Sequence, residues 1–191
     1  MPATARRDRE RAQRHQMIIT AARELAEAEG WDAVTTRRLA ERIEYSQPVL
    51  YSHFDGKDAI VRAVALQGFE ELAAELRRAR TGAEGPGPGL PSLCRAYLDF
   101  AVTRPALYQA MFVMPTDVRF ASEETPAPLR ACFDEFVSAL PPGTGERELT
   151  AEVTWSALHG MAALAATRRI PPGGQGERVK LLAARITAAP A

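Results

Sequence analysis

Between Thr35 and Phe54 the chain has room for only two very short helices, and no other stretch limits the fold as strongly. Thr35 or Thr36 is a hydroxyl cap for a helix that carries Leu39, Ala40 and Ile43 inward. Glu44 and Tyr45 form a tight turn, and Ser46 is placed to cap a third helix from Gln47 to about His53. Pro48 falls in the first turn of that helix, where an amide would have no intrahelical partner. The preceding helix, about Arg11 to Glu29, sets Ile18, Ala22, Leu25 and Ala26 on one stripe and stops at Gly30. Trp31 and Val34 add apolar anchors in the connection. Leu39 and Ile43, with Val49, Leu50 and Phe54, are expected to lock the short pair onto the first helix.

No segment shows sustained two-residue alternation, so the chain reads as all-α. A long fourth helix is expected over about Lys57 to Arg80, with Ile60, Val64, Phe69, Leu72 and Leu76 along it. Arg77, Arg78 and Arg80 at its end read as solvated charges that offset the helix dipole. The run TGAEGPGPGLP, residues 81–91, is a surface connection. Further helices are expected near 91–103, 105–114, 126–140, 146–169 and 175–188, separated by proline- and glycine-rich punctuation. The organisation is an N-terminal arm and three-helix domain over residues 1–56, then a helical domain over 57–191.

Formal net charge is zero, which sits uneasily with a nucleic-acid binder, but the distribution is uneven. Residues 1–16 carry Arg6, Arg7, Arg9, Arg11 and Arg14 against Asp8 and Glu10, and phosphate binding needs local positive charge. That arginine-rich start fits either a solvated tail or an arm on DNA. Its polarity argues against a secretory signal, and Met161 to Ala166, the longest strongly apolar stretch, is far too short to span a bilayer. Cys94 and Cys132 are isolated, which suits a reducing compartment although their pairing stays open. A cytoplasmic protein without membrane association is expected. With only His15, His53 and His159, no metal-spaced cluster and no nucleotide loop, no catalytic residue, metal site or cofactor is expected.

Two short helices joined by a tight turn suit a reader of the DNA major groove, a helix-turn-helix. Gln47, Pro48, Val49, Ser52 and His53 are expected to face outward. Gln47 can pair with an adenine edge, and Pro48 or Val49 can touch a thymine methyl. Tyr51, Ser52, His53 and Lys57 suit phosphate contacts, as do Thr35, Thr36, Arg37 and Arg38 at the start of the second helix.

The run from Met17 to Ala63 resembles the DNA-binding domain of the TetR (tetracycline-repressor-like) family. The residues that carry the likeness are Ala21-Ala22, Gly30-Trp31, Thr35-Thr36, Leu39-Ala40, Ser46, Leu50-Tyr51-Ser52-His53-Phe54 and Lys57. The resemblance implies a homodimer, a palindromic operator on double-stranded DNA, and a C-terminal domain that dimerises and binds an inducer. Trp155-Ser156-Ala157-Leu158-His159-Gly160 also resembles a Trp-x-x-x-His-Gly pattern of one C-terminal subgroup. Two departures stand out: Glu44 occupies a turn position where the family commonly has glycine, and Pro48 another where glycine is frequent. Glu44 then either adopts a left-handed conformation, reshapes the turn, or reorients the following helix.

Aromatic residues and methionine gather in the later helices, and such side chains can line a cavity as well as fill a core. Tyr97, Phe100, Tyr108, Met111, Phe112, Phe133, Trp155 and His159 are the candidates to hold a small-molecule effector, of hydrophobic or aromatic character. Gly160 and the neighbouring alanines let helices approach closely, so the helices near 146–169 and 175–188 are expected to form a dimeric four-helix interface. An effector would shift the fourth helix and change the separation of the two recognition helices, releasing DNA. The competing reading is a non-sensing architectural or protein-interaction helical protein. Repression versus activation, the operator and the effector's identity are not written in the sequence.

Overall fold

The computed structural model describes residues 3–82, 89–116, 118–120 and 122–188. Among them every regular element is helical: α1 Ala3–Glu29, a 3-10 turn Trp31–Ala33, α2 Thr36–Arg42, α3 Gln47–Tyr51, α4 Gly56–Thr81, α5 Leu90–Thr103, α6 Pro105–Phe112, α7 Ala127–Ala139, α8 Arg147–Ala166 and α9 Gln175–Thr187. The protein is all-α, as the hydropathy period predicts. The expected connection over 81–91 lies partly outside the described residues.

The chief difference from expectation is at the start. α1 begins at Ala3, eight residues before the apolar stripe requires. That extension has no core face, and its support is local. Arg6 pairs with Glu10 one turn on at 3.2 Å, and Arg9 Nε donates to the Ala5 carbonyl at 3.2 Å.

By packing, the chain divides into two compact units, Met1–Gly68 with Arg104–Val118, and Phe69–Thr103 with Arg119–Ala191. The sequence expectation divides the chain by role at residue 56 instead. α6 joins the first unit through long-range polar contacts. Trp31 Nε1 donates to the Ala106 carbonyl at 2.8 Å, and the Glu27 carboxylate accepts from the amides of Ala106 and Leu107 at 3.2 and 3.1 Å. A carboxylate on those amides satisfies donors that a helix start leaves open and complements its dipole. In α4, Gly68 is where α6 crosses: a Cβ there would lie 2.6 Å from Met111 Sδ.

The first unit's core is Ile18, Ala22, Leu25, Val34, Leu39, Leu50, Ile60 and Val64, all at most 2% exposed. In the second unit α5 packs on α7, α8 and α9 around Leu93, Tyr97, Phe100, Phe136, Leu158 and Val179. Cys94 and Cys132 are free and buried, and burial pushes both thiols up to about 12, which keeps them protonated. Of the arginines that close α4, Arg78 stays solvated as expected, while Arg77 and Arg80 depart from that reading. Arg77 Nε donates to Glu135 Oε1 at 2.7 Å and Arg80 Nε to Oε2 at 2.9 Å, and Glu135 is buried.

The helix-turn-helix joint shows how Glu44 is accommodated. The amide of Tyr45 donates to the Ala40 carbonyl at 3.0 Å and that of Glu44 to the Glu41 carbonyl at 3.3 Å. These are the two bonds of a Schellman motif, whose C′ residue is left-handed, and Glu44 has φ 57°. The turn keeps its ordinary shape and a β-carbon bears the strain. Glu44→Gly is expected to stabilise the protein by about 1 kcal/mol, read as a higher urea midpoint at unchanged slope, with DNA affinity unaltered. An unchanged or lower midpoint would show that the left-handed residue costs nothing here.

Candidate nucleic-acid interface

α2 is held at its start by Thr35, whose Oγ1 accepts from the Arg38 amide at 3.2 Å. Arg38 itself grips Glu29 at the end of α1 through both terminal nitrogens, at 2.8 and 3.0 Å. That pairing holds the Glu29 carboxyl below its usual value, the hydrogen bond from Arg38 being the main cause. Ser46 occupies the cap position of α3 but its side chain makes no capping bond, a departure from expectation. Ser52 Oγ instead donates to the Val49 carbonyl at 2.6 Å and closes the helix from the other end.

The short α3 turns Leu50 fully inward, followed by buried Phe54, and leaves Gln47, Pro48, Tyr51 and Ser52 exposed. Gln47 and Tyr51 are one turn apart and share a face. Tyr51 is 54% exposed, and its hydroxyl lies 3.4 Å from Thr36 Oγ1, so the outer side of α3 and the start of α2 form a continuous polar surface.

The remaining candidates are placed less freely. Val49 and His53 are half-buried. Burial first, then the charges of Arg11, His15 and Arg14, holds His53 below its ordinary value, so its ring is neutral near pH 7. Arg37 is exposed but pairs with Glu41 at 2.9 Å. Lys57 is half-buried, with Nζ donating to the Trp31 carbonyl at 2.5 Å, so it anchors the start of α4 to the loop after α1.

The eight effector candidates do not form one group. Tyr108, Met111 and Phe112 belong to the first unit, where the rings of Tyr108 and Phe112 are 4.7 Å apart. Tyr97, Phe100, Phe133, Trp155 and His159 belong to the second. There Trp155 Nε1 donates to the Tyr97 hydroxyl at 3.1 Å, and the His159 ring centroid lies 6.5 Å from that of Trp155. Burial lowers the basicity of His159, leaving it neutral near pH 7. Phe120, which sequence reasoning passed over, stacks on Trp155 at 6.5 Å. A shallow groove elsewhere in this unit is lined by Leu98, Val102, Met161, Ala162 and Ile170 together with the polar Gln175 and Arg178, none of them among the eight effector candidates.

A short, solvent-facing helix fixed behind a capped partner and a long supporting helix defines a helix-turn-helix DNA-binding protein. Comparison with known proteins agrees. The profile described as "Bacterial regulatory proteins, tetR family" matches residues 18–64, and that of the "Tetracyclin repressor-like, C-terminal domain" matches residues 90–188. The chain belongs to the TetR family of transcriptional regulators and carries that family's DNA-binding helix-turn-helix domain.

Among relatives, it is 34% identical over 103 residues to the uncharacterized HTH-type transcriptional regulator YobS of Bacillus subtilis, covering 54% of this chain and 53% of that protein. The matched stretch thus spans about half the length of that relative. The class G tetracycline repressor of Vibrio anguillarum is 47% identical over 47 residues, 25% of this chain and 22% of that one. A solved structure of a Rhodococcus protein of unknown function superposes with a TM-score of 0.73 at 25% identity, over 90% of this chain and 92% of that one. No described helix is long and apolar enough to cross a membrane.

Proposed function

We propose that this regulator is a ligand-responsive repressor that binds a palindromic operator as a homodimer and is released by a small, hydrophobic effector. The observation that carries the DNA-reading part is the outer side of α3: Gln47, Pro48, Tyr51 and Ser52 are exposed on a helix whose opposite side is fully buried. In this reading Gln47, Pro48 and Val49 meet base edges. Tyr51, Ser52, His53, Lys57, Thr35, Thr36 and Arg37 serve the backbone. Dimerisation is supported by an uncovered apolar stripe on α8. Leu149 and Val153 are 53% exposed and Leu164 41%, with Gly160 between them opening onto empty space, and on α9 Leu181 is 60% exposed. Effector binding is assigned to the aromatic side chains around Trp155, with His159 beside them. α4 starts just after the helix-turn-helix and runs unbroken to Thr81, so an effector that shifts it changes the spacing of two recognition helices that must match grooves about 34 Å apart.

Selection of bound sequences from random duplex DNA tests this. Enrichment of a palindrome is expected, and none enriched would sink specific recognition. On the recovered duplex, Gln47→Ala is expected to cost about 1–3 kcal/mol and relax preference at one base pair per half-site. Tyr51→Ala is expected to weaken all sequences alike. If both variants bind as wild type does, α3 is not the reading helix.

A further inference from the structure

The N-terminal half of α1 carries a row of arginines whose inner members, Arg11 and Arg14, lie close enough to the end of α3 to act on His53. Arg7, Arg11 and Arg14 follow one another at four and three residues, so they share a face of α1 that spans roughly 10 Å along its axis. At the inner end of this row the His15 ring stacks on Phe54 at 4.3 Å, and its centroid is 6.2 Å from that of His53. Arg11, Arg14 and His15 are the charged or titratable groups that disfavour a proton on His53. Arg14 Nε is buried and has no hydrogen-bond partner among the described residues. The ion pair in this part of α1, Arg6 with Glu10, leaves Arg11 and Arg14 out. Collecting like charges costs the folded chain energy unless an external anion offsets it.

We propose that Arg7, Arg11 and Arg14 of α1, with His53 at the end of α3, form a second DNA-backbone site that clamps phosphates beside the bases read by α3. The inference rests on the DNA-binding reading of α3. His53 lies two residues beyond the exposed Tyr51, so a duplex seated on α3 supplies the nearest continuous row of anions. Such a clamp adds affinity and salt dependence but no sequence preference. It also reconciles an overall net charge of zero with phosphate binding, since three arginines gather on one helical face.

The test uses the full-length protein and the duplex recovered by selection, with affinity measured by fluorescence anisotropy over a potassium chloride series. Arg7→Gln and Arg11→Gln together alter only exposed side chains. The double variant is expected to select the same palindrome, to bind at least about tenfold more weakly at 0.1 M salt, and to flatten the plot of log affinity against log salt by about two for each protomer. Arg7→Lys with Arg11→Lys is expected to keep the wild-type slope. Arg78→Gln with Arg95→Gln, the same charge change on exposed residues of the second unit, is expected to leave the slope unchanged. A wild-type slope in the α1 glutamine variant, with Gln47→Ala still impaired, would overturn the clamp and spare the α3 reading. An equal loss in the Arg78/Arg95 variant would overturn it too, by showing that net charge alone matters. If wild type enriches no palindrome, the parent reading fails first.

Discussion

Leu50→Ala is expected to remove DNA binding although the side chain never meets DNA. Leu50 is fully buried, and it is the main tether of a helix only five residues long. A helix of that length has no stability of its own, because nucleation is not repaid by so few hydrogen bonds. What holds α3 in place is therefore mainly tertiary, Leu50 and Phe54 beneath it and Val49 half-buried at its side, with the Ser52 hydroxyl on the Val49 carbonyl as a local addition. Truncating a buried leucine to alanine costs about 2–5 kcal/mol. Here the cost falls where α3 docks, and a loss of about 3 kcal/mol corresponds to more than a hundredfold in the docked population. The expected signature is a large loss of affinity and a lower urea midpoint, with helical circular dichroism nearly intact because α3 contributes so few residues. Wild-type affinity from Leu50→Ala would mean that α3 is held by something other than its buried side.

How much of this was legible beforehand depends on the range of the interaction concerned. Helices with an apolar stripe, such as Ile18 to Ala26, and helices bounded by proline or glycine, such as α6 after Arg104-Pro105 and α9 after Gly173-Gly174, were readable because period and punctuation are local. The exposed positions of α3 followed from placing Leu50 and Phe54 inward. The helical start of α1 was not readable in the same way, since a helix that is polar all round shows no period. Its Arg6–Glu10 pair and its arginine and alanine content were the only signals. Long-range polar contacts left no trace at all. Nothing near Lys57 announces the Trp31 carbonyl, and nothing near Glu27 announces the amides of α6 some 80 residues away. Residue type and local spacing, which mark the effector candidates, carry no sign that Tyr108, Met111 and Phe112 pack in a different unit from Trp155.

The arginines at the end of α4 carry the other large effect. The Glu135 side chain is 4% exposed, and both its oxygens are taken: Oε1 by Arg77, itself 65% exposed, and Oε2 by Arg80, 25% exposed. Removing both arginines leaves a buried carboxylate without its counter-ions, and uncompensated buried charges cost about 3–5 kcal/mol. Arg77→Ala with Arg80→Ala is therefore expected to lower the unfolding free energy by about that amount, a large share of the roughly 5–15 kcal/mol that holds a folded domain together. The reverse deletion is not equivalent. Glu135→Gln frees two guanidiniums, and Arg77 already reaches water, so the expected cost is about 1–3 kcal/mol. Adding Glu135→Gln to the double-alanine variant should recover part of what the arginine deletions lost, because it removes the charge that had become intolerable. Urea denaturation of the four proteins gives the coupling directly. A double-alanine variant as stable as wild type, or a triple variant weaker than the double, would show that the charge of Glu135 is not what those arginines compensate, and that they hold the end of α4 by packing alone.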